Sequence, residues 1–186
     1  MPDRAIPSAC VALERRSEGR CRVEEDVVVL FERTRDRLLR YSMSLGLSAH
    51  DGEEVIQEVF LALFRHLQRG RPQTNLNAWL FQVTHNLALK RREGDRRKQQ
   101  TLAELSAAAP NPQARDNPED QLLDRQRRVR LSSVWRALPE QDRQCLALRA
   151  EGLTYREIAA VLGVSLGGVS GSLARSIARF ARAARR

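Results

Sequence analysis

Leu153-Thr154-Tyr155-Arg156-Glu157-Ile158-Ala159-Ala160-Val161-Leu162-Gly163-Val164-Ser165 is the stretch that decides how the second half of the chain folds. Thr154 with Glu157 three residues later reads as a capping box, in which hydroxyl and carboxylate satisfy free backbone N–H groups at a helix start. Ile158, Ala159 and Leu162 face inward on that helix, and Ala159 is small enough to let a second helix cross closely. Gly163 permits a sharp turn, and Ser165 caps the helix that follows. Leu166, Val169, Leu173, Ile177 and Phe180 are the expected core stripe of that last helix. Helix, turn and helix at this spacing read as a helix-turn-helix. A compact helical corner of the kind used in protein-interaction domains is the competing reading.

Upstream, Leu131, Val134 and Leu138 end one helix, and Pro139-Glu140 suits the first turn of the next. Cys145, Leu146 and Leu148 are the apolar positions of that helix, and Gly152 ends it. Downstream, no acidic residue follows Glu157, and Arg175, Arg179, Arg182 and Arg186 recur at i, i+4, i+7 and i+11. Such a face offers a salt-dependent attraction to phosphates. By itself an arginine run is more often a solvated face. Ser170 and Ser172 at the other end of the helix are small enough to enter a major groove.

The first half reads as helical too. Val27-Val28-Val29-Leu30 alone is ambiguous between strand and helix. Leu30, Phe31, Leu38, Leu39, Tyr41 and Leu45 continue it at helical spacings, with no turn signal before Gly46. Val55, Ile56, Val59, Phe60, Leu63, Phe64 and Leu67 then form a single apolar stripe. Asp51, Glu53 and Glu54 sit at its N-terminal end and Arg65, His66 and Arg69 at its C-terminal end, which complements the helix dipole. Gly70-Arg71-Pro72-Gln73 breaks the helix. A third helix is expected from Thr74 or Asn75, with Leu76, Trp79, Leu80, Val83 and Leu87 buried and Gln82, His85, Asn86 and Lys90 on another face. Trp79 is read as core rather than as a stacking platform because it belongs to that stripe.

The chain has 186 residues, with 32 Lys+Arg against 23 Asp+Glu and a net charge of +9. That length suits one domain or two small ones, and the charge favours polyanionic partners. Cys10, Cys21 and Cys145 are an odd number at no metal-ligand spacing, so neither a disulfide scaffold nor a metal site is expected. No apolar run is long enough to span a membrane, and the N-terminus lacks a secretory core. His50, His66 and His85 are scattered and no phosphate-cradling glycine loop follows a strand, so neither an enzyme nor a cofactor is expected. The expected architecture is all-α, two small helical bundles joined by a flexible linker. Residues 1–24 are a mobile extension, 25–97 the first bundle, 98–119 the linker and 120–186 the helix-turn-helix bundle.

Two pairs of longer segments carry a family resemblance. His50-Asp-Gly-Glu-Glu-Val-Ile-Gln-Glu-Val-Phe-Leu-Ala-Leu-Phe64 with Asn75-Leu-Asn-Ala-Trp-Leu-Phe-Gln-Val-Thr-His-Asn-Leu-Ala-Leu89 resembles region 2 of bacterial extracytoplasmic-function sigma factors. Ala137 to Arg149 followed by Glu151 to Ser165 resembles region 4 of the same family. The resemblance implies a transcription initiation factor in the cytoplasm, with core RNA polymerase, promoter DNA and an anti-sigma factor as partners. It implies core-polymerase contacts at Asp51, Glu54, Gln57 and Glu58. For the −10 element it implies base contacts at Asn75, Asn77, Gln82, His85 and Asn86, with Lys90, Arg91 and Arg92 against phosphates. For the −35 element it implies Arg156, Ser165, Ser170, Ser172, Arg175 and Arg179. The recognition helix departs from the family pattern at Gly167-Gly168-Val169-Ser170-Gly171-Ser172, where two usual cations are missing. Each glycine there costs up to about 1 kcal/mol of helix propensity. A helix-turn-helix regulator that does not engage polymerase, and an adaptor that binds polymerase or an anti-sigma factor without opening promoters, remain the alternatives.

Overall fold

The computed structural model describes the backbone of residues 8–70, 74–103 and 121–185, and side chains over 24–70, 74–97 and 129–185. Seven α-helices and no strand occur among these residues: α1 (Ser8–Ser44), α2 (Ala49–Gln68), α3 (Leu76–Ala103), α4 (Gln121–Ala137), α5 (Glu140–Ala150), α6 (Tyr155–Leu162) and α7 (Leu166–Ala184). Helices α1–α3 make the first bundle and α4–α7 the second.

Val27 to Leu30 belong to α1, which resolves their ambiguity in favour of helix. That helix starts at Ser8, so most of the segment expected to be a mobile extension is helical. Ala9, Ala12, Leu13, Glu14, Arg15 and Arg16 are strong helix formers, which favours helix over irregular backbone there. The side chains of Cys10 and Cys21 lie outside the described residues. The expected linker is likewise helical at its start, since α3 continues through the basic stretch to Ala103. Residues 104–120 lie outside the described residues, as do 71–73 of the expected break.

In the first bundle α2 lies against both α1 and α3. Ser48 caps α2 by accepting from the Asp51 amide at 3.1 Å. Val55, Ile56, Val59, Phe60, Leu63 and Leu67 bury the expected stripe against Leu38, Tyr41 and Leu45 of α1 and Leu80, Phe81 and Ala88 of α3. Phe31 meets Phe60 edge-on with centroids 4.9 Å apart. Gly52 lets α1 approach α2 closely: a Cβ there would stand 2.8 Å from Leu39 Cδ1. Asn75 has φ 59°, in the left-handed region asparagine tolerates, so α3 leaves a tight turn and not the extended backbone of a side-chain cap.

In the second bundle Leu138, Cys145, Leu148, Leu153, Ile158, Val161, Val169 and Leu173 are buried. The stripe of α7 is rotated from its expected position. Val169 and Leu173 are buried, but Ser172 and Ser176 join them while Leu166 and Ile177 are largely exposed. Small serines let α7 approach α5 closely at Cys145, and the larger Ile177 and Phe180 line an apolar groove with Tyr41, Leu131, Trp135 and Leu146.

The bundles are in contact: α3 packs on α6 and α1 on α5. Tyr41 and Phe81 are fully buried at this seam and belong to one continuous core with Cys145, Leu148 and Leu153. Charged pairs flank it, from Arg92 to Glu140 and from Arg40 to Glu151.

Candidate functional site

Three surfaces collect the residues singled out above. On α2, Asp51 and Glu54 are tied to Arg91 of α3, and Asp51 also bonds Ser48. The hydrogen bond from Ser48, then those from Arg91, outweigh burial and hold the Asp51 carboxyl below the usual carboxylate range. These two acids therefore brace α2 against α3. Gln57 and Glu58, past the first turn, are exposed and make no hydrogen bond or ion pair among the described residues.

On α3 the candidates divide between two sides, as a helix turning about 100° per residue requires. Gln82, Asn86 and Lys90 recur every four residues along one exposed stripe. Trp79 lies on the same side, half-buried, its ring 4.7 Å from that of His66. Asn75, in its left-handed turn, is exposed just before the stripe. Asn77, His85 and Arg92 face inward instead, the first two onto α1 and Arg92 onto Glu140 of the second bundle. The Asn77 side-chain oxygen accepts from Arg37 at 3.3 Å. Arg92 donates to Glu140 at 2.6 Å and to the Leu45 carbonyl at 3.3 Å. The Arg92 hydrogen bond is the main reason that Glu140 ionises more readily than an ordinary glutamate. Arg91 is committed to the α2 acids.

His85 does not reach solvent as an exposed base contact would. It is 8% exposed and shares a 2.8 Å hydrogen bond with Tyr41 through Nδ1. Burial lowers the imidazole pKa and raises that of the phenol, so the pair is neutral on both sides. The apolar packing of α3 against α1 carries it inward.

The helix-turn-helix has the expected local chemistry. Thr154 accepts from the Glu157 amide at 3.3 Å, and the Glu157 carboxylate accepts from the Thr154 amide at 2.8 Å. Gly163 turns with φ 66°, Ser165 accepts from the Gly168 amide at 3.1 Å, and α6 and α7 meet at 106°. That angle lies in the range of DNA-binding helix-turn-helix units. Despite its glycines, α7 runs unbroken from Leu166 to Ala184.

Arg156 and Ser170 are exposed on this unit. Ser165 is exposed but engaged in capping α7. Ser172 is fully buried and accepts from Arg175 at 3.2 Å, so it braces the helix and presents nothing to a groove. Arg175 forks onto the buried Asp142, with Nη2 to Oδ1 at 2.9 Å and Nε to Oδ2 at 3.3 Å. Burial would raise the Asp142 pKa, but the bonds from Arg175 and Ser172 and the charge of Arg179 bring it below the usual range. Arg179 donates to the Ala137 carbonyl at 3.3 Å. Asp142 escaped the sequence reading, and its signal was an acid three residues before Cys145, on the apolar side of α5. Arg37, Arg40 and Glu151 escaped it as well, since nothing local marks charges that meet across a seam.

Among the described residues no group of His, Cys, Asp and Glu is arranged to hold a metal, and no single helix is long and apolar enough to cross a membrane. Comparison with known proteins accounts for both bundles. Residues 30–98 match the family model for sigma-70 region 2, and residues 121–180 match that for sigma-70, region 4. The ECF RNA polymerase sigma factor SigE of Mycolicibacterium smegmatis is 37% identical over 144 residues, 75% of this chain and 54% of that protein. The chain thus spans about half the length of that relative. RNA polymerase sigma factor CnrH of Cupriavidus metallidurans is 28% identical over 149 residues, covering 77% of this chain and 78% of the relative. Two solved structures share the fold. CnrH in complex with the cytosolic domain of CnrY has a TM-score of 0.59 at 22% identity, covering 90% and 92% of the two chains. Sigma factor RpoE in complex with the anti-sigma factor NepR, from Bartonella quintana, has a TM-score of 0.63 at 18% identity, covering 87% and 98%. With region 2 and region 4 both present and in order, the chain belongs to the extracytoplasmic-function group of the sigma-70 family.

Proposed function

We propose that this protein binds core RNA polymerase in the cytoplasm and directs it to promoters, with an anti-sigma factor as a further partner. Gln57 and Glu58 are the core-binding positions, because they are the exposed members of the polar face of α2. Gln82, Asn86 and Lys90 read and hold the opened −10 strand. Amide side chains recognise the edges of unstacked bases, and a cation beside them meets the phosphates. Arg156 and Ser170 approach the −35 duplex from the helix-turn-helix, and Arg175 offers it the part of its guanidinium that Asp142 leaves open.

The observation that carries this reading is the exposed Gln82–Asn86–Lys90 stripe in the region 2 bundle, on the same chain as a helix-turn-helix whose helices cross at 106°. A duplex-only regulator leaves the stripe idle. The test is to mix the purified chain with bacterial core polymerase, look for co-elution, and assay transcription from genomic fragments. Co-elution with new start sites is the expected result. Co-elution without transcription identifies the adaptor, and duplex binding without co-elution identifies the regulator.

A further inference from the structure

We propose that Asp142, Ser172 and Gly171 position Arg175 so that its one free nitrogen, Nη1, is a fixed donor to a backbone phosphate of the bound duplex. The inference rests on the helix-turn-helix reading above and deepens it, by naming the residues that aim this contact and the part of the duplex it meets.

Arg175 lies side-on to Asp142, Nε to Oδ2 at 3.3 Å and Nη2 to Oδ1 at 2.9 Å, and Nη2 also donates to Ser172 at 3.2 Å. The Asp142 side chain is 2% exposed while that of Arg175 is 60% exposed. A carboxylate this deep is held there by its donors, and the guanidinium it grips opens to solvent. Contact at two points fixes the plane of the guanidinium, which a single bond does not. Gly171 completes the cradle. A Cβ there would stand 3.2 Å from Arg175 Nη1, so the guanidinium lies where any side chain at 171 would press on it. Glycine weakens a helix interior, and at this position the lost propensity makes room for the arginine.

The hydrogens left over decide what Arg175 can hold. Guanine is read by two nitrogens of one guanidinium edge, donating to O6 and N7. Nε is taken by Asp142, and both hydrogens of Nη2 are taken, one by Asp142 and one by Ser172. Only Nη1 makes no hydrogen bond among the described residues. A single donor nitrogen suits a phosphate oxygen and not a base edge. Arg175 also stands about 14 Å along α7 from Leu166, past the N-terminal end by which a recognition helix reaches bases. Arg179 and Arg182, both exposed, continue its side of α7 at i+4 and i+7.

An arginine free in solvent gives up side-chain freedom when it takes a phosphate. Here that freedom is already lost in the folded chain, so the contact forms without it. Asp142 therefore helps an anion to bind although it is itself an anion. Charge alone predicts the reverse, and the two accounts differ in sign for one substitution.

The test uses the full chain and two labelled duplexes, one of mixed sequence and one of A·T pairs only, over a range of salt. Arg175→Gln is expected to weaken binding to both about tenfold, as loss of a charge-assisted hydrogen bond does, and to reduce the slope of log K against log salt by about 0.9. Asp142→Asn raises the net charge by one and is nevertheless expected to weaken binding about threefold, since one side chain must then be ordered on binding. With Arg175→Gln already present, Asp142→Asn is expected to add no further loss. Asp36→Asn, the same charge change on α1, is expected not to weaken binding. Gly171→Ala keeps the buried carboxylate and its partner and adds helix propensity, so its melt is expected not to fall while its binding weakens. The proposal is overturned if Asp142→Asn or Gly171→Ala binds as tightly as wild type, or if the losses from Asp142→Asn and Arg175→Gln multiply. A loss from Arg175→Gln on the mixed duplex alone identifies a base contact and overturns it too. The sigma-factor reading stands or falls separately, on whether the wild-type chain directs core polymerase to new start sites, and a wild-type chain that binds no duplex overturns both.

Discussion

Removing one oxygen atom, by Tyr41→Phe, tests how α1 and α3 are held together inside the first bundle. The phenol is fully buried and its 2.8 Å bond to His85 Nδ1 joins α1 to α3 among buried apolar side chains. Phenylalanine fills nearly the same volume, so no cavity term enters. What remains is a buried ring nitrogen without its partner, which costs about 1–3 kcal/mol. For a chain of this size each kcal/mol lowers Tm by about 2–4 °C, so the fall should lie between roughly 2 and 12 °C. Thermal melts followed by far-UV circular dichroism at pH 7.5 measure it. The stronger check is a double-mutant cycle with His85→Phe. An apolar pair leaves nothing unsatisfied, so the double variant should cost less than the sum of the single ones. A Tyr41→Phe melt identical to wild type, or strict additivity in the cycle, would refute this account of the buried pair.

Acid should weaken the same contact: burial puts the His85 pKa in the folded chain below its unfolded value near 6.5. The unfolded chain then binds the extra proton, so denaturant-derived stability is full above pH 6.5 and declines as pH falls below it, by up to about 1 kcal/mol by pH 5.5. The decline should vanish in His85→Phe. Replacing Gln57 and Glu58 together by Lys should abolish co-elution with core polymerase and leave the helical signal unchanged, because both are exposed and make no bond or ion pair among the described residues; retained co-elution removes that face from the interface. Gly167→Ala should raise Tm by a few degrees, since a Cβ there meets nothing within 4 Å and alanine gains up to about 1 kcal/mol of helix propensity. Gly168→Ala should gain less, because its Cβ would press on the capping Ser165 hydroxyl at 3.3 Å, and equal gains would show that the cap contributes nothing.

Features written in neighbouring residues were legible. The apolar stripe of α2, the capping box at Thr154 and the glycine turn at Gly163 all depend on local spacing and backbone chemistry, and each is present. Features set by how closely two elements approach were not. Nothing local told that Ser172 and Ser176 would be buried in place of Ile177, because that depends on α7 seating against Cys145 of α5. The inward turn of His85 depends on α1 supplying Tyr41, forty-four residues away in sequence. The split of the α3 candidates between two sides follows from helical rotation, but which side meets solvent is decided by α1 and the second bundle.

Arg91 joins the acidic end of α2 to α3, and this one guanidinium ties two surfaces of the molecule to a common equilibrium. A ligand that takes the carboxylates of Asp51 and Glu54 must release the guanidinium, and a ligand that takes the guanidinium must release the carboxylates. Two such ligands therefore favour one another, by the same factor whichever arrives first.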